Sequence, residues 1–99
     1  MWYVITGKES PEGLAIRKRV RPEHVERVRR LVDQGRLLVA GPCPAIDSPD
    51  PGPAGFTGSV IIAEFPSLED ARTWMAADPY VTERVFESWD VRPFVKSLP

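Results

Sequence analysis

The stretch "SVIIAEFPSLEDARTWMAADPYV", Ser59 to Val81, changes its hydrophobic period halfway along. Residues 59–65 form a nearly continuous apolar run of strand length, rich in β-branched side chains, which predicts a central strand. Beyond Pro66 the spacing lengthens, and Leu68, Ala71, Trp74 and Met75 share one face of a predicted helix. Ser67 and Asp70 stand at capping-box spacing at its start. Pro79 is ill suited to a continuing helix, so the helix ends at Asp78, and "PYVTERV" has room for one further short turn.

Working outward, "RPEHVERVRRLVDQG" reads as a helix with Pro22 in its first turn, Val25, Val28, Leu31 and Val32 on one face, and Gly35 as its stop. "MWYVIT" at the start, "RLLVAG" after the first helix and "FESWDVRPF" near the end read as strands. Gly7 to Gly13 reads as a polar loop, with "RKRVR" (Arg17 to Arg21) leading into the helix. "PCPAIDSPDPGPAGFTG" reads as a long Pro/Gly loop, a length that usually marks a functional or mobile segment. The order β-α-β-β-α-β over one domain, residues 1–99, predicts an α+β, ferredoxin-like fold: a four-stranded antiparallel sheet with two helices on one face. The other face would expose apolar side chains from strands carrying Trp2, Val4, Ile61, Ala63 or their neighbours, which predicts a homodimer joined sheet to sheet.

The same topology makes a prediction about position. The basic stretch, the start of the first helix, the long loop and Asp78 should gather at one end of the sheet. His24, the only histidine, falls at that helix start. A carboxylate bonded to one imidazole nitrogen sets the tautomer and leaves the other nitrogen to move a proton. A lone histidine in a first helical turn is more often exposed or packed, and an Asp before Pro more often just ends a helix. Arg17 and Arg21 are candidates to clamp an anionic group, against the plainer reading of a solvated charge run. Tyr80 offers a hydroxyl or simply a core-anchoring ring.

Composition narrows the classes. A net charge of −1 recruits neither nucleic acid nor an anionic membrane, and no apolar run reaches membrane-spanning length. No secretion signal stands at the N-terminus, and one cysteine, Cys43, makes no disulfide framework, so a soluble cytoplasmic protein is expected. One histidine without nearby ligand spacing argues against a metal site. The glycines match neither a dinucleotide fingerprint nor a phosphate loop, and Ser59 lacks the setting of a hydrolase nucleophile.

Taken in order along the chain, "RPEH", "GRLLVAGP", "GFTGS", "ADPYV" and "VRPF" closely resemble the YciI-like (YCII-related) family over essentially the whole length. The resemblance implies a ferredoxin-like fold dimerising through its sheets, similar to muconolactone isomerase and related dimeric α+β barrels. It implies an active site built around a His and an Asp, which fall on His24 and Asp78, with Ser59 and Arg21 also matching. Relatives include an activity that eliminates chloride from a chlorinated hydroxyaromatic ring. The expectation is a small enzyme without cofactor or metal, moving a proton in an isomerisation or elimination on a small anionic cyclic or aromatic metabolite. His24 and Asp78 would be catalytic; Arg17, Arg21, Ser59 and Tyr80 would hold the substrate. The alternative is a dimeric, non-catalytic module that binds a metabolite.

Overall fold

The computed structural model describes residues 1–99. Strand β1 (Trp2–Glu9) leads into helix α1 (Gly13–Asp33) and strand β2 (Leu37–Pro44). After a single 3₁₀ turn at Gly52–Ala54 come β3 (Phe56–Glu64), α2 (Leu68–Ala76), the one-turn helix α3 (Pro79–Thr82) and β4 (Phe86–Phe94). The strands form one antiparallel sheet in the order β2-β3-β1-β4, so β2 and β4 are its edges. This is the expected ferredoxin-like α+β fold, with α3 as the short extra turn after Asp78. No helix is long and apolar enough to cross a membrane.

Register decides which residues meet the helices. Ile5 lies opposite both Ile61 and Val91, and Tyr3 lies opposite Ala63. All five are buried, and they form the sheet side of a core that Val20, Leu31 and Met75 close from the helices. Ile61 and Ala63 therefore belong to the covered face, not the open one. The open face carries Trp2, Val4 and Ile62, because side chains alternate across a strand. Each of these three is only half-buried.

The first half of the chain is more regular than the sequence reading expects. β1 continues through Glu9, and α1 starts at Gly13, so "RKRVR" lies within the helix and Pro22 in its interior. A proline inside a helix removes one hydrogen bond and crowds the carbonyl four residues back, here that of Lys18. Both Pro22 and Lys18 lie on the solvent side, where water can serve that carbonyl. Arg17 and Val20 before the proline, and Leu31 after it, are buried and anchor the helix on both sides. Anchoring by tertiary contacts outweighs the local penalty, about 3 kcal/mol for an interior proline. The Pro/Gly loop is shortened in turn, since β2 runs on to Pro44 and β3 begins at Phe56.

Glycines on β1 and β3 leave no room for a side chain. A Cβ on Gly58 would overlap the carbonyl oxygen of Gly7, and one on Gly7 would enter the ring of Phe86. Backbone groups cannot swing aside as the end of a long side chain does. Gly58→Ala is expected to lower the unfolding free energy by about 2 kcal/mol, in the range for overpacking a close contact. Urea denaturation checks this, and an unchanged midpoint would contradict it.

Candidate functional site

The helix break at Asp78 does more than end α2. Asp78 takes an extended backbone (φ −70°, ψ 138°) and becomes the N-cap of α3, with Pro79 at the first helical position. Its carboxylate Oδ1 accepts the backbone N–H of Tyr80 at 2.9 Å. Asp78 is wholly buried, so its remaining acceptor capacity needs partners from elsewhere in the fold.

α1 supplies them. His24 Nδ1 lies 2.8 Å from Oδ1 and 3.1 Å from Oδ2 of Asp78. Arg27, one turn further along the same helix, donates from Nη1 to Oδ2 at 2.9 Å. Its other arm, Nη2, donates to the carbonyl of Trp74 at 2.7 Å, satisfying an acceptor in the last turn of α2. The Arg27 guanidinium also lies 4.4 Å over the Trp74 ring. A carboxylate accepts only, so Nδ1 of His24 carries hydrogen toward it. Nε2 has no partner within the chain; because no buried polar side-chain atom is left unpaired, it is reached by solvent, and the His24 side chain lines the neighbouring cavity.

Tyr80 holds the imidazole from the side. The two rings are parallel to within 7°, with centroids 3.8 Å apart, while Phe86 meets Tyr80 edge-on. One residue thus fixes both partners of the pair, His24 by its ring and Asp78 by its backbone N–H. Burial raises the Tyr80 phenol above its ordinary value of 10.0, outweighing the opposing charges of Arg17 and Arg21.

A second ion pair stands beside this one. Arg17, 7% exposed, bonds both carboxylate oxygens of Glu9, at 2.7 and 3.1 Å, and also donates to the Ser59 hydroxyl at 3.2 Å. Its guanidinium lies between 4.7 and 4.8 Å from the ring centres of Phe56 and Tyr80. Glu9 reaches inward past a register shift at the end of β1, and Gly13 makes room for it: a Cβ there would come within 2.6 Å of Glu9 Cγ.

The cavity has a volume of about 340 Å³ and lies between α1 and strands β2 and β3. Arg17, Arg21, His24, Ser59 and Tyr80 all line it, with Asp78 behind His24. All six residues singled out from the sequence are thus brought together. Arg21 is exposed and forms no ion pair. One expectation needs correction: His24 lies in the middle of α1, not at its start, so no helix-terminus charge acts on it. The loop 45–55 contributes nothing to the cavity wall, and its Gly55 faces Leu14 near the start of α1. Neither Glu9 nor Arg27 stands out in the sequence: Arg27 is recognisable only as the residue one turn beyond His24, a weak signal, and Glu9 falls in the stretch that reads as a polar loop. Cys43 does not line the cavity, and no three His, Cys, Asp or Glu side chains come together as a metal-binding group.

A family model described as the YCII-related domain matches residues 1–95. The chain belongs to this family. "Protein YciI" of Escherichia coli O6:H1 is 55% identical over 96 residues, covering 97% of this chain and 98% of that protein. An uncharacterized protein of Haemophilus influenzae is 47% identical over the same shares of the two chains. Among solved structures, 5-chloro-2-hydroxyhydroquinone dehydrochlorinase (TftG) from Burkholderia phenoliruptrix AC1100, in complex with 2,5-dihydroxybenzoquinone, superposes with a TM-score of 0.81 at 22% identity. The match covers 96% of this chain and 94% of that one, and it shows that a YCII-related chain and this enzyme share a fold.

The raised phenol gives a pH expectation with a definite sign. A group whose folded value lies above its unfolded one contributes stability below the unfolded value and loses it as pH rises. Stability contributed by neutral Tyr80 is therefore complete below pH 10.0 and falls at higher pH. Denaturation midpoints across alkaline pH should fall more steeply in the native protein than in Tyr80→Phe. Parallel curves would show that Tyr80 ionises equally in both states.

Proposed function

We propose that the protein is a small enzyme that transfers a proton within a cyclic or aromatic anion, without a cofactor, in an isomerisation or an elimination. One observation carries this reading: the buried carboxylate on His24 Nδ1 leaves Nε2 without a partner in the chain, on a side chain that lines a cavity together with Arg17 and Arg21. His24 Nε2 takes a proton from an O–H or C–H of the substrate, and the electron pair left behind moves into the ring. Asp78 orients the imidazole and stabilises the imidazolium that forms. Arg17 and Arg21 hold the anionic group, the Ser59 hydroxyl adds a further contact, and Tyr80 presents a neutral phenol beside them. The step is completed either by returning the proton at another ring position or by loss of a leaving group with its bonding pair. The dehydrochlorinase name and the dihydroxybenzoquinone of the structural neighbour support this substrate class, on the likeness of fold alone.

The test offers hydroxylated and chlorinated ring acids, phenols and hydroxyquinones, and follows solvent-deuterium incorporation and chloride release. Turnover is expected in the native protein and a fall of at least about 100-fold in His24→Gln and Asp78→Asn, the scale of a lost general base. Arg21→Ala should raise KM more than it lowers kcat. Ligands that bind with no exchange and no elimination would replace this reading with the non-catalytic one.

The open sheet face, with Trp2, Val4 and Ile62, supports the further proposal that a second copy covers it sheet to sheet. Sedimentation at micromolar concentration should give a dimer, which Ile62→Lys should dissociate. A native monomer would refute the proposal.

A further inference from the structure

The cavity is not uniform along its length. Its inner end holds the polar groups, His24, Tyr80, Arg17 and Ser59, of which the last three are buried. From there it follows α1 outward, where Val25, Val28 and Val32 recur at helical spacing and face Ala40 of β2 and Ile61 of β3. Val25 and Val28 are only half-buried and Val32 is 53% exposed, although each lies beside other apolar wall residues. Val25 to Val32 spans about 10 Å along the helix axis. At the mouth stand Arg29 and Asp33, opposite in charge and neither in an ion pair. A compact ring seated at His24 would leave this apolar section in water. Half-exposed valines continuous with a polar pocket are what a ligand with an apolar extension would cover.

We infer that the ligand has two parts: an anionic head, held at the His24 end by Arg17 and Arg21, and an apolar arm several carbons long, lying along Val25, Val28 and Val32. This deepens the function proposed above, since the head is the group on which His24 acts. The arm supplies binding energy remote from the reacting atoms, and β2 provides its opposite wall.

Because His24 is the only histidine, its imidazole NMR signals report on the head without a known substrate. The probes are salicylate and its 5-alkyl homologues from methyl to hexyl, titrated against the native protein and against Val32→Asp. All are expected to shift the His24 signals. Affinity should rise about fourfold for each methylene, equivalent to ~0.8 kcal/mol, and level off once the arm passes Val32. In Val32→Asp, an exposed position whose substitution leaves the core intact, the gain from the longest arms should vanish. If every probe shifts His24 with the same affinity, or Val32→Asp keeps the full gain, the arm is refuted while the head site stands. If no probe of any length shifts His24, the anion site and the arm fall together.

Discussion

Asp78 places a carboxylate where solvent does not reach, and much of this fold follows from having to satisfy it. An uncompensated buried charge would cost several kcal/mol. Here its partners come from different parts of the chain: the Tyr80 N–H from α3, His24 and Arg27 from α1. Arg27 then reaches on to the last turn of α2 through the Trp74 carbonyl. Three helices are thereby fixed against one another through a single carboxylate. Packing alone would tolerate small slides of α1 over the sheet; directional bonds to one carboxylate do not. The same bonds that lock the helices orient the imidazole, so the geometry of the site and the geometry of the fold have one cause.

Arg17 and Glu9 play a matching part at the start of α1. Their ion pair is almost wholly buried, with side chains 8% and 7% exposed, and the Phe56 and Tyr80 rings shield it. It ties the first turns of α1 to the end of β1, and this explains why the helix begins well before Pro22. Local rules favour a start at that proline, since it is a good first-turn residue and a poor interior one. The rule is sound and was overridden: two inward-facing residues upstream, Arg17 and Val20, gain more from being helical than the proline loses.

What could be read from the sequence divides along physical lines. α2, the Ser67 cap and β4 were all legible because their signals are local: period, cap and turn residues within a few positions. The Asp70 N–H does bond the Ser67 hydroxyl, at 3.0 Å. The pairing of His24 with Asp78 is named by the family resemblance; topology puts the start of α1 and Asp78 at one end of the sheet, but His24 lies mid-helix, so position alone left the plainer readings of both residues open. Arg27 and Glu9 were not legible, because charged residues in a helix or before a loop look alike whether they face water or a buried partner. Nor could the sequence say which of Ile61 and Ile62 faces inward. A run of apolar residues loses the alternation that marks a face, and only pairing with β1 and β2 resolves it.

The placement of β2 at the edge of the sheet has a consequence for how such a protein changes over time. Every group that orients His24 lies on α1, on α3 or at the junction of α2 and α3, and none lies on β2. The cavity wall on the opposite side comes partly from Ala40, Gly41 and Pro42, on a strand bonded to only one neighbour. Gly41 has open space where a side chain would stand. Substitutions there can reshape what enters while the proton-moving pair keeps its distances. The two inheritances are separable: a chain built this way can change its choice of molecule by drift along one outer strand, with its chemistry held constant by the helices.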